Sequence, residues 1–190
     1  MAERYEIQIA IHRFIHNDLE LCARDLRERV RRKFESGEAE GFFSDMMGSL
    51  IFMAFTIEAN VNFIGWKTLD DGWPDRASLS EKINLLVKVL PLELEWKHRP
   101  LQTILKLNNF RNSIAHGKPK IVDPPTLVQT GPEALDLFKG EWESCVTQEF
   151  IDRSYEDMNS LWNTLLEAAK IPIGDTVTRS FQSSKLIREE

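Results

Sequence analysis

The chain has 190 residues, of which 42% are hydrophobic and 28% charged, and this length suits one well-filled core and is short for two. We expect a single domain over residues 1–170 and a peripheral tail at residues 171–190. The formal net charge is −6, but residues 1–132 hold 18 acidic and 18 basic side chains, whereas residues 133–190 hold 12 and 6. Because the acidic excess lies in the last third, net charge alone does not exclude RNA as a ligand, although phosphate contacts need cations.

The chain does not open on a cationic and apolar signal sequence, so we expect a cytoplasmic protein. The two cysteines, Cys22 and Cys145, are too far apart in sequence to form a metal-binding or redox pair motif. We interpret them as free thiols.

Apolar residues recur in steps of three and four from residue 7 to residue 34, which predicts one amphipathic helix over residues 4–35. Its basic segment, Arg24 to Lys33, is either a solvated helix face or a ridge that faces phosphates. His12 and His16 are four residues apart, a spacing that suits metal binding, but no third ligand accompanies them. We interpret the two histidines as a polar helix flank and predict neither a metal nor a cofactor.

The segment from Met46 to Trp66 predicts a second helix, which Ser44 or Asp45 could cap. Its centre is apolar on all sides, as expected for a helix surrounded by others. A membrane span is the alternative, but polar residues interrupt the apolar run, so we expect no membrane insertion. Two of these polar residues, Glu58 and Asn62, are four apart, and a carboxylate in such a helix needs a partner or a cleft.

Ser78 and Glu81 form a capping box in front of a short helix that Pro91 ends. A further helix is predicted to start near Pro100 and to end at Gly117, which could close it in the left-handed conformation. One apolar and one polar stripe run along this helix: Leu101, Ile104, Leu107, Phe110 and Ile114 form the first, and Asn108, Asn112 and His116 the second.

Prolines and glycines between residues 117 and 144 predict a long irregular connection, with a short helix possible at residues 133–138. Lys118 and Lys120 lie at its start and could extend a phosphate site or be ordinary solvated lysines. Thr147 is expected to cap the last helix, which ends near Lys170.

The segment from Arg111 to Gly117, Arg-Asn-Ser-Ile-Ala-His-Gly, closes a late helix that follows other helices. It resembles the HEPN family, whose hallmark is an Arg, four to six residues, and a His, often with a polar residue directly after the Arg. The similarity covers roughly residues 40 to 170 by layout and one heptapeptide by residue identity. It implies an all-α, HEPN-like bundle of about five helices, with Arg111, His116 and Asn112 as the catalytic residues.

The resemblance also implies a homodimer and metal-independent cleavage of RNA, in many members as part of a toxin–antitoxin or defence system. We therefore expect an RNA substrate, no DNA substrate, and a cognate antitoxin as a potential partner. A hypothesis from the residues themselves is that Glu58 and Asn62 border the same cleft as Arg111 and His116. The alternative function is a non-catalytic helical module for nucleotide or protein binding and dimerisation.

Overall fold

The structure, a computed structural model, describes residues 4–118 and 140–187. These residues form five α-helices and one pair of strands, joined by short 3-10 turns. In chain order the elements are β1 (Arg4–His12), α1 (Ile15–Ser36), α2 (Phe42–Leu69), α3 (Leu79–Val89), α4 (Leu101–Ala115), α5 (Gln148–Ala169) and β2 (Arg179–Ile187). The predicted all-α class is confirmed, since helices make up most of the described chain.

Helix α2 lies at the centre of the bundle and packs against α1, α3, α4 and α5. Its buried residues lie on several sides of the helix, as its uniformly apolar sequence predicts. The helix is long and apolar enough to cross a membrane by length and composition, but 56% of its most apolar window is buried inside the bundle. This burial is compatible with a core helix of a soluble protein.

The predicted first helix is wrong at its start, because residues 4–12 form strand β1 and the helix begins at Ile15. Strand β1 pairs with β2 in antiparallel register, from Arg4 opposite Ile187 to His12 opposite Arg179. Ile7 and Ile11 fit a helical step of four, yet residues 5, 7, 9 and 11 also alternate with polar or small residues as a strand requires. His12 and His16 therefore do not share a helix.

The tail after α5 contains more structure than its weak sequence pattern predicted. Ile171 donates its backbone N–H to Leu166, and Thr176 is buried. Residues 179–187 then form β2. The single domain over residues 1–170 stays a prediction.

The start of α2 also differs from the prediction. The helix begins at Phe42, after Gly41 in the left-handed conformation with φ of 64°, and neither Ser44 nor Asp45 caps it. Asp45 is buried in the first turn, where its Oδ2 lies 2.8 Å from Nζ of Lys33 on α1. The Asp45 carboxylate, which the sequence predicted as a potential cap of α2, is instead engaged in an ion pair between α1 and α2.

Two predicted caps are confirmed. The Ser78 hydroxyl accepts from the Glu81 N–H, and the Glu81 carboxylate accepts from the Ser78 N–H at 2.8 Å. The Thr147 hydroxyl accepts from the Phe150 N–H at 3.2 Å at the start of α5. Cys22 and Cys145 are both free thiols; Cys145 is buried and Cys22 is exposed.

Most of the predicted irregular connection, including Lys120 and the helix suggested at residues 133–138, lies outside the described residues. Residues Glu141–Cys145 form a 3-10 turn before α5.

Candidate functional site

Helix α4 presents Arg111 to α2. The residues of α4 that face the core, among them Leu107 and Phe110, are buried, and this fixes the rotation of the helix. Arg111 follows Phe110 in sequence and lies at the edge of the buried face, with 22% of its side chain exposed. Its position is therefore set by the packing of α4 rather than by a flexible loop.

Arg111 forms an ion pair with Glu58 of α2, with 2.6 Å between Nη2 and Oε2. The same Nη2 lies 3.5 Å from Oδ1 of Asn108, one turn earlier on α4. The guanidinium carbon is 5.9 Å from the centre of the Phe55 ring, within the range of a cation–π contact. The buried Nε has no hydrogen-bond partner, and no described residue accepts a hydrogen bond from Nη1.

His116 is the residue that ends α4. Its backbone N–H donates to the Asn112 carbonyl at 2.9 Å, and its φ of −116° takes it out of the helix. Its side chain is exposed and makes no hydrogen bond or ion pair with a described residue.

The expectation that Gly117 closes the helix in the left-handed conformation is wrong. Gly117 does not have a positive φ, and its N–H makes only a long bond of 3.5 Å to the Ile114 carbonyl. His116 has already left helical geometry, so the chain needs no left-handed residue to stop α4.

The other predicted site residues lie around these two groups. Asn62 lies one turn after Glu58 on α2, and its Oδ1 accepts a hydrogen bond of 3.2 Å from the Trp73 indole. Asn112 is half-buried on α4, and Lys118 is exposed beyond it. The structure thus brings Glu58 to Arg111, but within the described residues no hydrogen bond or ion pair joins His116 to either of them.

The sequence did not single out the aromatic residues beside this pair. Phe55, Trp66 and Trp73 line a cavity of about 510 Å³ that Glu58 and Asn62 also line. Phe55 and Trp66 keep 40% and 49% of their surface exposed. The available signal was their spacing, since residues 55, 58, 62 and 66 follow helical steps and share a face of α2.

The basic segment of α1 is largely engaged in ion pairs within the bundle. Arg27 lies 2.7 Å from Asp152 of α5, and Lys33 pairs with Asp45 of α2. These contacts favour the interpretation of a structural helix face over a phosphate-binding ridge.

His16 has a structural role. It is buried between Phe63 and Trp162, and its Nε2 lies 3.0 Å from the Thr176 carbonyl. Burial lowers the pKa of its imidazole, and the bond to Thr176 partly opposes that shift. Within residues 4–118 and 140–187, no group of three or more His, Cys, Asp and Glu side chains could hold a metal ion.

No family model matches the chain, and no match was found among the curated proteins or the solved structures.

Proposed function

We propose that the protein is a metal-independent endoribonuclease of the HEPN type that acts as a homodimer. The observation that supports this most directly is the anchoring of Arg111 by Glu58, combined with an exposed His116 five residues later. One cation is held rigidly at the edge of the bundle, and one titratable group is accessible at the end of the same helix. These are the two kinds of group that RNA cleavage without a metal requires.

In the proposed reaction the ribose 2′-oxygen attacks the adjacent phosphorus, and the bond from phosphorus to the 5′-oxygen breaks. A base takes the proton of the 2′-hydroxyl, and an acid gives a proton to the departing 5′-oxygen. The products carry a 2′,3′-cyclic phosphate and a 5′-hydroxyl, so the step needs no water, oxidant or metal. His116 of one protomer acts as the base and His116 of the other as the acid.

Arg111 stabilises the charge that develops on the phosphate oxygens. Its Nη2 is engaged by Glu58, so Nη1 is the donor left for the phosphate. The carboxylate of Glu58 weakens the attraction of the guanidinium for an anion, and in return it fixes where the guanidinium points. Asn112 and Lys118 lie at the same end of α4 as His116; Asn112 belongs to the catalytic set, and Lys118 contributes to substrate binding.

The direct test is incubation of purified protein with RNA in EDTA, comparing wild type with His116→Ala and Arg111→Ala. Removal of a general acid or base lowers the rate by about 10²- to 10⁴-fold, and we expect a loss in this range for His116→Ala. Ser113→Ala is the matched control, because Ser113 is exposed on the same helix and its hydroxyl bonds only the Asn109 carbonyl. Equal cleavage by every variant would show a contaminating nuclease.

The second candidate is a non-catalytic helical module for nucleotide or protein binding. It is favoured by the same ion pair, because a guanidinium neutralised by a carboxylate of another helix also serves as a structural contact between α2 and α4. A wild-type protein that leaves RNA intact in EDTA supports this candidate.

The toxin role, with a cognate antitoxin as partner, is a further part of the proposal. Expression of the wild-type protein in a bacterial host should arrest growth, and His116→Ala should relieve the arrest. Growth arrest that persists in His116→Ala would separate toxicity from RNA cleavage.

A further inference from the structure

The cavity beside the Arg111–Glu58 pair lies between α2 and the start of α1. Aromatic side chains make up part of its lining, and the other side is formed by residues at and just before the start of α1, among them Arg13, Ile15 and Leu19. Phe55 and Trp66 of α2 form its exposed wall, and the buried Trp73 lies against the same helix. Its volume of about 510 Å³ lies within the usual range for small-molecule sites, about 300 to 1,000 Å³. The cavity is therefore large enough for a planar heterocycle to stack on an aromatic ring.

Polar groups also line this cavity, namely Glu58 and Asn62 on α2 together with Arg13, His16 and Asp75. The two on α2 retain hydrogen-bonding capacity. The Asn62 Oδ1 accepts a hydrogen bond from the Trp73 indole. The Nδ2 of the same amide is left as a free donor. Glu58 engages Arg111 through Oε2, which leaves Oε1 as an acceptor. The polar edge of a nucleobase carries both donors and acceptors, so it offers a partner for each of these two groups.

Arg111 lies beside the cavity without lining it. Its guanidinium carbon is 5.9 Å from the centre of the Phe55 ring, and its Nη2 is bound to Glu58; both of these residues do line the cavity. A nucleotide has the same arrangement, with a flat base attached to an anionic phosphate. A purely apolar ligand would cover the Asn62 Nδ2 donor and the Glu58 Oε1 acceptor without offering either a partner.

We propose that this cavity binds one unpaired base of single-stranded RNA, stacked on Trp66 and Phe55, while Arg111 contacts the adjacent phosphate. The assignment rests on the proposed nuclease function and adds its substrate class. Double-stranded RNA is not a substrate, because its bases are stacked on each other and cannot enter a side pocket.

The test uses the full chain and a fluorescein-labelled single strand of 2′-O-methyl RNA, which lacks the 2′-hydroxyl nucleophile and stays intact. Fluorescence anisotropy gives the dissociation constant. Loss of base–aromatic stacking costs about 1–3 kcal/mol per base, so Trp66→Ala should weaken binding about 5- to 150-fold. Trp66→Phe, which keeps an aromatic ring, should retain most of the affinity.

Phe43→Ala is the matched control, because Phe43 is an equally exposed aromatic residue of α2 that does not line the cavity. A strand of the same length with abasic sugars keeps the phosphates and should bind as weakly to wild type as the intact strand binds to Trp66→Ala. Circular dichroism and a melting curve establish that each variant is folded.

The base pocket is overturned if Trp66→Ala binds as wild type does, if the abasic strand binds as tightly as the intact one, or if the wild-type protein binds neither. Failure of the nuclease proposal gives a different result, since wild type would then not cleave RNA while the difference between Trp66→Ala and Phe43→Ala persists. If cleavage requires His116 but is unchanged in Trp66→Ala, the nuclease proposal stands and the base-pocket proposal is overturned.

Discussion

Substitution of Gly65 by Ala on α2 should destabilise the protein, against the usual preference of helices for alanine. A Cβ built at Gly65 would lie 2.2 Å from Cε3 of the Trp73 ring, far inside van der Waals contact. The indole is buried and hydrogen-bonded to Asn62, so it cannot move away from the new Cβ without losing these contacts. Alanine gains about 1 kcal/mol of helix propensity, whereas forced repacking of a core side chain costs up to about 3 kcal/mol.

Because the 2.2 Å approach to a buried ring puts the cost at the upper end of this range, the net loss is about 2 kcal/mol, which lowers the melting temperature by about 4–8 °C for a chain of this size. Thermal unfolding followed by circular dichroism measures it. Gly48→Ala is the matched control on the same helix, because its Cβ would meet only the two methyls of the flexible Leu26 side chain, at 3.1 and 3.8 Å. We expect Gly48→Ala to be unchanged or up to about 1 kcal/mol more stable. A Gly65→Ala protein that melts at or above the wild-type temperature would refute the close packing of Trp73 on α2.

Burial lowers the pKa of His16 from 6.5, so the unfolded chain binds the proton more readily and stability should fall as the pH drops below about 6.5. Urea titrations between neutral and mildly acidic pH should show this fall reduced in His16→Gln, and an unchanged pH dependence would contradict the assignment. Ser78→Ala removes the cap of α3 and should cost about 1 kcal/mol, or about 2–4 °C in melting temperature, whereas Ser80→Ala on the same helix should cost less. If the proposed nuclease is a dimer with shared catalysis, excess His116→Ala chains should lower the wild-type cleavage rate by forming mixed dimers, and a rate unaffected by the added chains would contradict shared catalysis.

The helical core could be predicted from the sequence because its signals are local. The capping box of Ser78 and Glu81 and the cap at Thr147 lie within three residues of the groups they bind, and the apolar run of α2 predicted a central helix. The strands could not be predicted in the same way. Strand β1 depends on a partner more than 160 residues away, and Ile7 and Ile11 fit a helical step as well as a strand.

The candidate site was likewise predictable from the sequence only where its signals are local. The Arg and His of α4 stand out as a motif, and Glu58 as a carboxylate in an apolar helix needed a partner. That the partner is Arg111 depends on how α2 and α4 pack, and these residues are 53 positions apart. The aromatic wall of the cavity required the folded structure, because nothing in the sequence shows that Phe55 and Trp66 stay exposed while neighbouring residues of α2 are buried.

The central claim is that His116 moves the proton of a ribose 2′-hydroxyl. Mass spectrometry of the RNA fragments formed in EDTA tests it most directly, through the chemical groups at the new ends. We predict 2′,3′-cyclic phosphate and 5′-hydroxyl ends with the wild-type protein, and their absence with His116→Ala. Fragments with 3′-hydroxyl and 5′-phosphate ends, or cyclic phosphates that persist in His116→Ala, would contradict it.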